Sequence, residues 1–235
     1  MLDKVYTPKE IYILWQNMSE NDAMPGGKKY PVGKLIYINE DLWNLEYFDI
    51  SAPSNFIGYL PYKFVPNKVY KNVKATFTRR LPPKKREDFK EFLKEYQISE
   101  TCIDIDDFAL LAYTEGNLPS DNFSFINPLT EVPIDGEFII LIAGFRHYDG
   151  NNRQSSLIGE KVIFQKEPDN IYDKNAVIIT LENGLILGYV SIIQNERINY
   201  LLNNDINIDA HITAVKDYNT RKQVFVYVKT NKGQE

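Results

Sequence analysis

Three blocks decide the reading: Ala143-Gly144-Phe145-Arg146-His147-Tyr148-Asp149-Gly150, then Glu167-Pro168-Asp169-Asn170-Ile171-Tyr172-Asp173-Lys174-Asn175-Ala176, then Gly188-Tyr189-Val190. Each sits at the end of an apolar run. Phe138 to Ile142 precedes the first block, and Gly159-Glu160-Lys161-Val162-Ile163-Phe164 precedes the second. Val177 to Leu181 follows the second and leads through Asn183-Gly184 into Leu185 to Val190. Polar side chains gathered at strand ends are where a rigid sheet carries its binding residues.

Downstream, Ile193, Arg197, Ile198, Leu201 and Leu202 have helical spacing. Ile206 to Val215 and Gln223 to Lys229 then read as two strands, joined by Lys216-Asp217-Tyr218-Asn219-Thr220. Six short strands and a helix in about 95 residues predict a small β-barrel of the OB or SH3 kind.

Upstream, Ile11 to Asn17, Tyr30 to Ile38 and Leu42 to Ile50 read as an antiparallel meander. Pro25-Gly26-Gly27 marks a loop over 18–29, Asn39-Glu40-Asp41 a tight break, and 51–66 an irregular stretch. Phe89, Phe92, Leu93, Tyr96 and Ile98 predict a helix entered from Lys84-Lys85-Arg86. Ile105, Phe108, Ala109, Leu111 and Ala112 predict a second, with Gly116 as its C-cap. The basic cluster of Arg79-Arg80 and Lys84-Lys85-Arg86 reads as a solvated helix start or as a partner site. Pro119, Pro128 and Pro133 suggest a linker. The expectation is an α+β chain. Residues 1–117 form a small sheet-plus-helices domain, 118–135 a linker, 136–231 the barrel with one or two short helices, and 232–235 a tail.

Composition bounds the function. A formal charge of −5 opposes a whole-protein grip on a nucleic-acid backbone but leaves room for a small site. One cysteine, Cys102, excludes an internal disulfide, and two histidines, His147 and His211, oppose a zinc site. No cofactor or metal is expected. Met1-Leu2-Asp3-Lys4-Val5-Tyr6 has no basic region ahead of an apolar core, and no apolar run approaches about 18 residues. A soluble, cytoplasmic protein with no membrane partner is the expectation.

Enzyme templates are absent. There is no phosphate loop ending in Lys-Ser or Lys-Thr and no Gly-x-Ser-x-Gly elbow. The middle block has two readings on spacing. Asn and Asp side chains that bond their own backbone make a stable turn with no further role. Alternatively, Asn170, Tyr172 and Asp173 meet Arg146, His147 and Tyr148 at one mouth of the barrel. That set has the parts for gripping a strand end: a Tyr face stacks on a base, an Arg binds phosphate, a carboxylate accepts from a terminal hydroxyl.

In the order and form of these three blocks, residues 138–230 resemble a HIRAN domain. The resemblance implies an OB-like barrel that binds single-stranded DNA and captures a free 3′ end. It implies that Tyr172 stacks on a terminal base and Asp173 receives the 3′-hydroxyl. Asn170 and backbone groups near His147 and Tyr148 hold the last nucleotides, and Arg146 meets phosphate. Lys174 belongs to the same DNA-binding set. Tyr189 stands where the pattern often has His, and Ser191-Ile192 replaces a Lys-rich stretch that supplies phosphate contacts. The N-terminal part resembles the small N-terminal subdomain of HipA-type toxin kinases. That resemblance rests on Ile11 to Asn17, Arg80-Leu81-Pro82, and Asp107-Phe108-Ala109-Leu110-Leu111 with Glu115-Gly116, and no kinase motif follows.

The expected function is therefore non-enzymatic capture of single-stranded DNA. The alternative is an adaptor that recruits a toxin, nuclease or kinase through the aromatic surface from Tyr47 to Tyr70 or a sheet edge. A third reading is a metal-dependent nuclease using Asp169 and Asp173.

Overall fold

Trp43, Leu45 and Tyr47 alternate with Asn44 and Glu46, and the alternation puts one face of a strand in a core. The computed structural model describes residues 1–17, 29–50, 55–148, 157–218 and 221–232. In chain order its first elements are β1 (Glu10–Gln16), β2 (Lys29–Asn39), β3 (Leu42–Tyr47), β4 (Gly58–Tyr59), β5 (Tyr62–Lys63) and β6 (Val69–Tyr70). Next come α1 (Lys74–Phe77), α2 (Phe89–Glu95), α3 (Asp107–Thr114) and β7 (Phe123–Ile126). The chain continues with β8 (Glu137–Leu141), β9 (Val162–Lys166), β10 (Val177–Leu181), β11 (Ile186–Tyr189), α4 (Asn195–Asn203), β12 (Asn207–Tyr218) and β13 (Arg221–Asn231).

Two compact units emerge: 7–89 with 104–128, and 1–6 with 90–103 and 129–235. This differs from a division at 117 and 136. Leu2 is the reason for the first six residues: it is buried, bridges Ile98, donates its N–H to Gln97 O (2.7 Å) and accepts from Ser99 N (2.8 Å).

In the N-terminal unit the strand order is β6-β3-β2-β1-β7, antiparallel throughout. The meander over β1, β2 and β3 forms as its spacing predicts. β7 corrects the linker reading. Phe123-Ser124-Phe125-Ile126 pairs with β1, because Phe125 and Ile126 find a buried place that a solvated linker would deny them. The helix expected over Phe89, Phe92, Leu93, Tyr96 and Ile98 is α2, which begins at Phe89 after the turns of 84–88 and ends at Glu95, short of Tyr96 and Ile98. Gln97, at φ 60°, stands two residues beyond its end. The C-cap of α3 is Glu115 at φ 55°, one residue before Gly116. At its other end Asp106 Oδ1 accepts from Ala109 N (2.8 Å). Asp106→Ala is expected to remove about 1 kcal/mol of stability, measurable by urea denaturation.

The basic cluster does not stay together. Arg80 is buried, its Nε donating to Gly116 O (2.6 Å) and its two Nη donating to Asp121 (2.5 and 2.8 Å). Burial opposes its charge, but the hydrogen bonds to Asp121 and Tyr59 outweigh burial and hold the guanidinium above its usual pKa.

The C-terminal unit contains two three-stranded antiparallel sheets, β12-β13-β8 and β11-β10-β9. Two bridges join their edges: Ala143 with Tyr189, and Lys161 with His211. The six strands thus run in a ring, β12-β13-β8-β11-β10-β9 and back to β12. Phe138, Ile140, Val177, Ile179, Leu187 and Val226 fill its interior. Helix α4 buries Ile198 and Leu201 in the same core. Among the described residues no helix is long and apolar enough to cross a membrane.

Candidate functional site

The turn between β9 and β10 is built by its own side chains. Asn170 Oδ1 accepts from Tyr172 N (2.9 Å) and Asp173 N (3.1 Å), and Asp173 Oδ1 accepts from Asn175 N (2.8 Å). Backbone bonds Asn170 N to Glu167 O (3.0 Å) and Ala176 N to Asp173 O (3.0 Å) close it. These are the Asx bonds that the sequence suggests. Their effect is to hold an aromatic side chain out in solvent: Tyr172 is 91% exposed and its neighbour Ile171 85%. A large apolar side chain so exposed on so constrained a backbone is poised for contact with something else.

Glu167 ties this turn to the other two blocks. Its Oε2 accepts from Asn170 Nδ2 (2.6 Å) and from Tyr189 Oη (2.9 Å). The Tyr189 ring lies 6.1 Å from that of Tyr148, tilted by 60°. Burial, followed by hydrogen bonds to Glu167 and Tyr148, pushes the Tyr189 phenol above its usual pKa. Tyr148, Tyr189, Glu167, Asn170 and Asp173 therefore form one connected group. Gly188 makes the connection possible, because at φ 144° it lets the chain pass against Ala143 while Tyr189 bridges it.

Asp173 has a second anchor. Its Oδ2 accepts from Asn195 Nδ2 (2.7 Å) at the start of α4, where Asn195 Oδ1 is buried and unpaired. Neither Glu167 nor Asn195 stands out in the sequence as a site residue. Glu167 is visible as the residue before the turn's Pro168. Asn195 has no local signal, since its partner lies 22 residues away.

Arg146 and His147 lie in the 3₁₀ turn 145–147 that leads into Tyr148, and both are exposed. Arg146 Nε contacts His147 Nε2 at 2.9 Å. Lys174 is exposed on the β9–β10 turn. Asp149 and Gly150, the end of the first block, lie outside the described residues. Among the described residues neither Glu167 nor Asp173 has a Lys or Arg within ion-pair distance, and no three His, Cys, Asp or Glu side chains gather as a metal group. The site offers an exposed aromatic plane, carboxylates with spare lone pairs, and Arg146 and Lys174 in solvent.

Comparison with known proteins agrees with this part of the chain. No curated protein matches. The crystal structure of the HIRAN domain of human HLTF is similar over 42% of this chain and 78% of that one, at 22% identity and a TM-score of 0.34. A protein from Lactobacillus plantarum is similar over 41% of this chain and all of its own, at 20% identity and a TM-score of 0.33. Residues 135–229 match the family described as HIRAN domain, so the ring of strands and the Asn170–Asp173 turn belong to a HIRAN domain within this chain.

Proposed function

We propose that the HIRAN domain of this protein binds nucleic acid and captures the end of a single DNA strand. The observation that carries the reading is Tyr172, 91% exposed on a turn locked by Asn170. A terminal base has a free face, and a Tyr ring stacked on it contributes about 1–3 kcal/mol. Asp173 accepts the terminal 3′-hydroxyl. Asn195 and Asn175 N already hold its two oxygens in place, and each keeps a lone pair. Asn170 shapes the turn. Arg146 and Lys174 meet phosphates, with His147 and Tyr148 beside them. Tyr189 is committed to Glu167, which fixes the floor of the site and does not offer phosphate a cation.

A 3′-phosphate brings about −1.5 to −2 charges. Placed against Asp173 and Glu167 it is repelled, whereas a hydroxyl donates. Binding is therefore selective for an unmodified end. Fluorescence anisotropy with three labelled strands tests this: a free 3′-hydroxyl, a 3′-phosphate, and a closed circle. The hydroxyl strand is expected to bind tightest. Tyr172→Ala should weaken it by roughly 5- to 150-fold, the equivalent of one lost stack. Asp173→Asn should narrow the gap between the hydroxyl and phosphate ends. Equal binding of all three strands, or a Tyr172→Ala protein that binds like the wild type, would overturn the end-capture reading.

A further inference from the structure

A second charged surface lies in the N-terminal unit. Between Asn55 and Arg86 the sequence has nine Lys or Arg and no Asp or Glu, in a chain of formal charge −5. The cations are thus segregated from an acidic remainder. Folding retires some of them. Arg80 is buried on Asp121, Lys84 pairs with Asp107, Arg86 with Asp88, and Lys74 reaches Asp41 at 3.5 Å. Among the described residues Lys63, Lys68 and Lys71 have no carboxylate within ion-pair distance.

Each of the three is tied to Tyr70, by ring contact, backbone hydrogen bond or chain adjacency. Tyr70 Oη donates to Lys63 O (2.6 Å), the Lys68 ammonium stands 4.6 Å from the Tyr70 centroid, and Lys71 follows in the chain. The Tyr62 ring is 5.2 Å from that of Tyr70. Tyr70 lies on β6, a strand at the edge of its sheet that, among the described residues, pairs with β3 alone. Val65 and Val69 are 43% and 45% exposed there. Two carboxylates stand near: Asp49, accepting from Asn67 Nδ2 at 3.2 Å, and Glu46, opposite Val69 in the β3–β6 register. Three exposed ammoniums outnumber them.

We propose that this Tyr70-centred edge is a second nucleic-acid contact, holding the phosphate backbone of a single strand on Lys63, Lys68 and Lys71. Charge complementarity selects a polyanion. Rings interleaved with lysines suit a strand whose bases and phosphates alternate. The exposed aliphatic side chains sit on strand and loop, not on the amphipathic helix with which a protein lies in a membrane surface. The contact does not depend on a strand end, so it stands or falls apart from end capture.

The whole chain is titrated with a closed circular oligonucleotide, which offers no end, between about 50 and 200 mM salt. The wild type is expected to bind with an affinity that falls as salt rises. The triple variant Lys63→Gln, Lys68→Gln, Lys71→Gln should flatten the log–log slope by about 2, from three contacts at about 0.7 each. Lys63→Glu, Lys68→Glu, Lys71→Glu should abolish circle binding, with thermal unfolding confirming that both variants fold. Tyr172→Ala should leave the circle unaffected. An unchanged slope in the Gln variant would overturn the proposal. So would circle binding that disappears with Tyr172→Ala, or lysine-dependent binding to phosphatidylserine vesicles but not to the circle.

Discussion

Gly188→Ala is expected to destabilise the C-terminal unit by about 3 kcal/mol, summing a strained backbone with an overpacked contact. Both terms are visible in the geometry. At φ 144° the residue occupies a region that L side chains rarely adopt. A Cβ there would stand 2.4 Å from Ala143 O and 2.7 Å from Ile142 Cγ2. The carbonyl cannot retreat cheaply. Ala143 O accepts from Tyr189 N (2.9 Å), and Ala143 N donates to Tyr189 O (2.8 Å). That pair of bonds joins β11 to the end of β8 and so completes the ring of strands. Loosening it also frees Tyr189 from Glu167, so the DNA binding proposed above is expected to fall together with stability. Hydrogen exchange on the whole protein separates the effects. Amides of 177–190 should lose protection in the variant, while those of 10–16 and 29–47 should keep theirs. Wild-type protection across 177–190 would show that the close approach at Gly188 does not hold the ring together.

The HIRAN segment was legible in the sequence because its decisive signals are local. Pro168, Asp169, Asn170 and Asp173 encode a turn whose bonds span two or three residues, and the structure contains those bonds. The alternation in β3 and the apolar run of β10 likewise need no distant partner. What stayed hidden is long-range. Glu167 acquires its place from Tyr189, 22 residues on, and Leu2 from Ile98, 96 residues on. β7 was masked by the prolines around it, since a strand of four residues has too short a period to assert itself. Arg80 misled for a different reason. Charge patterning along a chain says nothing of which cation a fold draws inside.

That cation is the subject of the other large effect. Asp121→Ala is expected to destabilise the N-terminal unit by about 3–5 kcal/mol, because it strands a charge in a place that water cannot reach. The Arg80 side chain is 1% exposed, against 28% for Asp121. Without its partner the guanidinium keeps hydrogen bonds to Gly116 O (2.6 Å) and Tyr59 Oη (3.0 Å), neither of which carries charge. The rings of Phe125 and Tyr59, with centroids 4.9 and 5.5 Å away, offset part of that loss. Arg80→Lys should fare little better, since an ammonium cannot reproduce the two-pronged bond to Asp121. Adding Arg80→Met to Asp121→Ala should recover stability, because the second change removes the stranded charge and keeps an apolar stem between the rings. Trp15 and Trp43 both lie in this unit's core, so tryptophan fluorescence in urea reports it directly. A double variant as unstable as the sum of the two single changes would mean that Arg80 serves by packing alone. Recovery would mean that the charge is tolerated only because Asp121 answers it. In that case the inward turn of Arg80 takes one cation out of the basic cluster, while Lys63, Lys68 and Lys71 stay exposed with no carboxylate within ion-pair distance among the described residues.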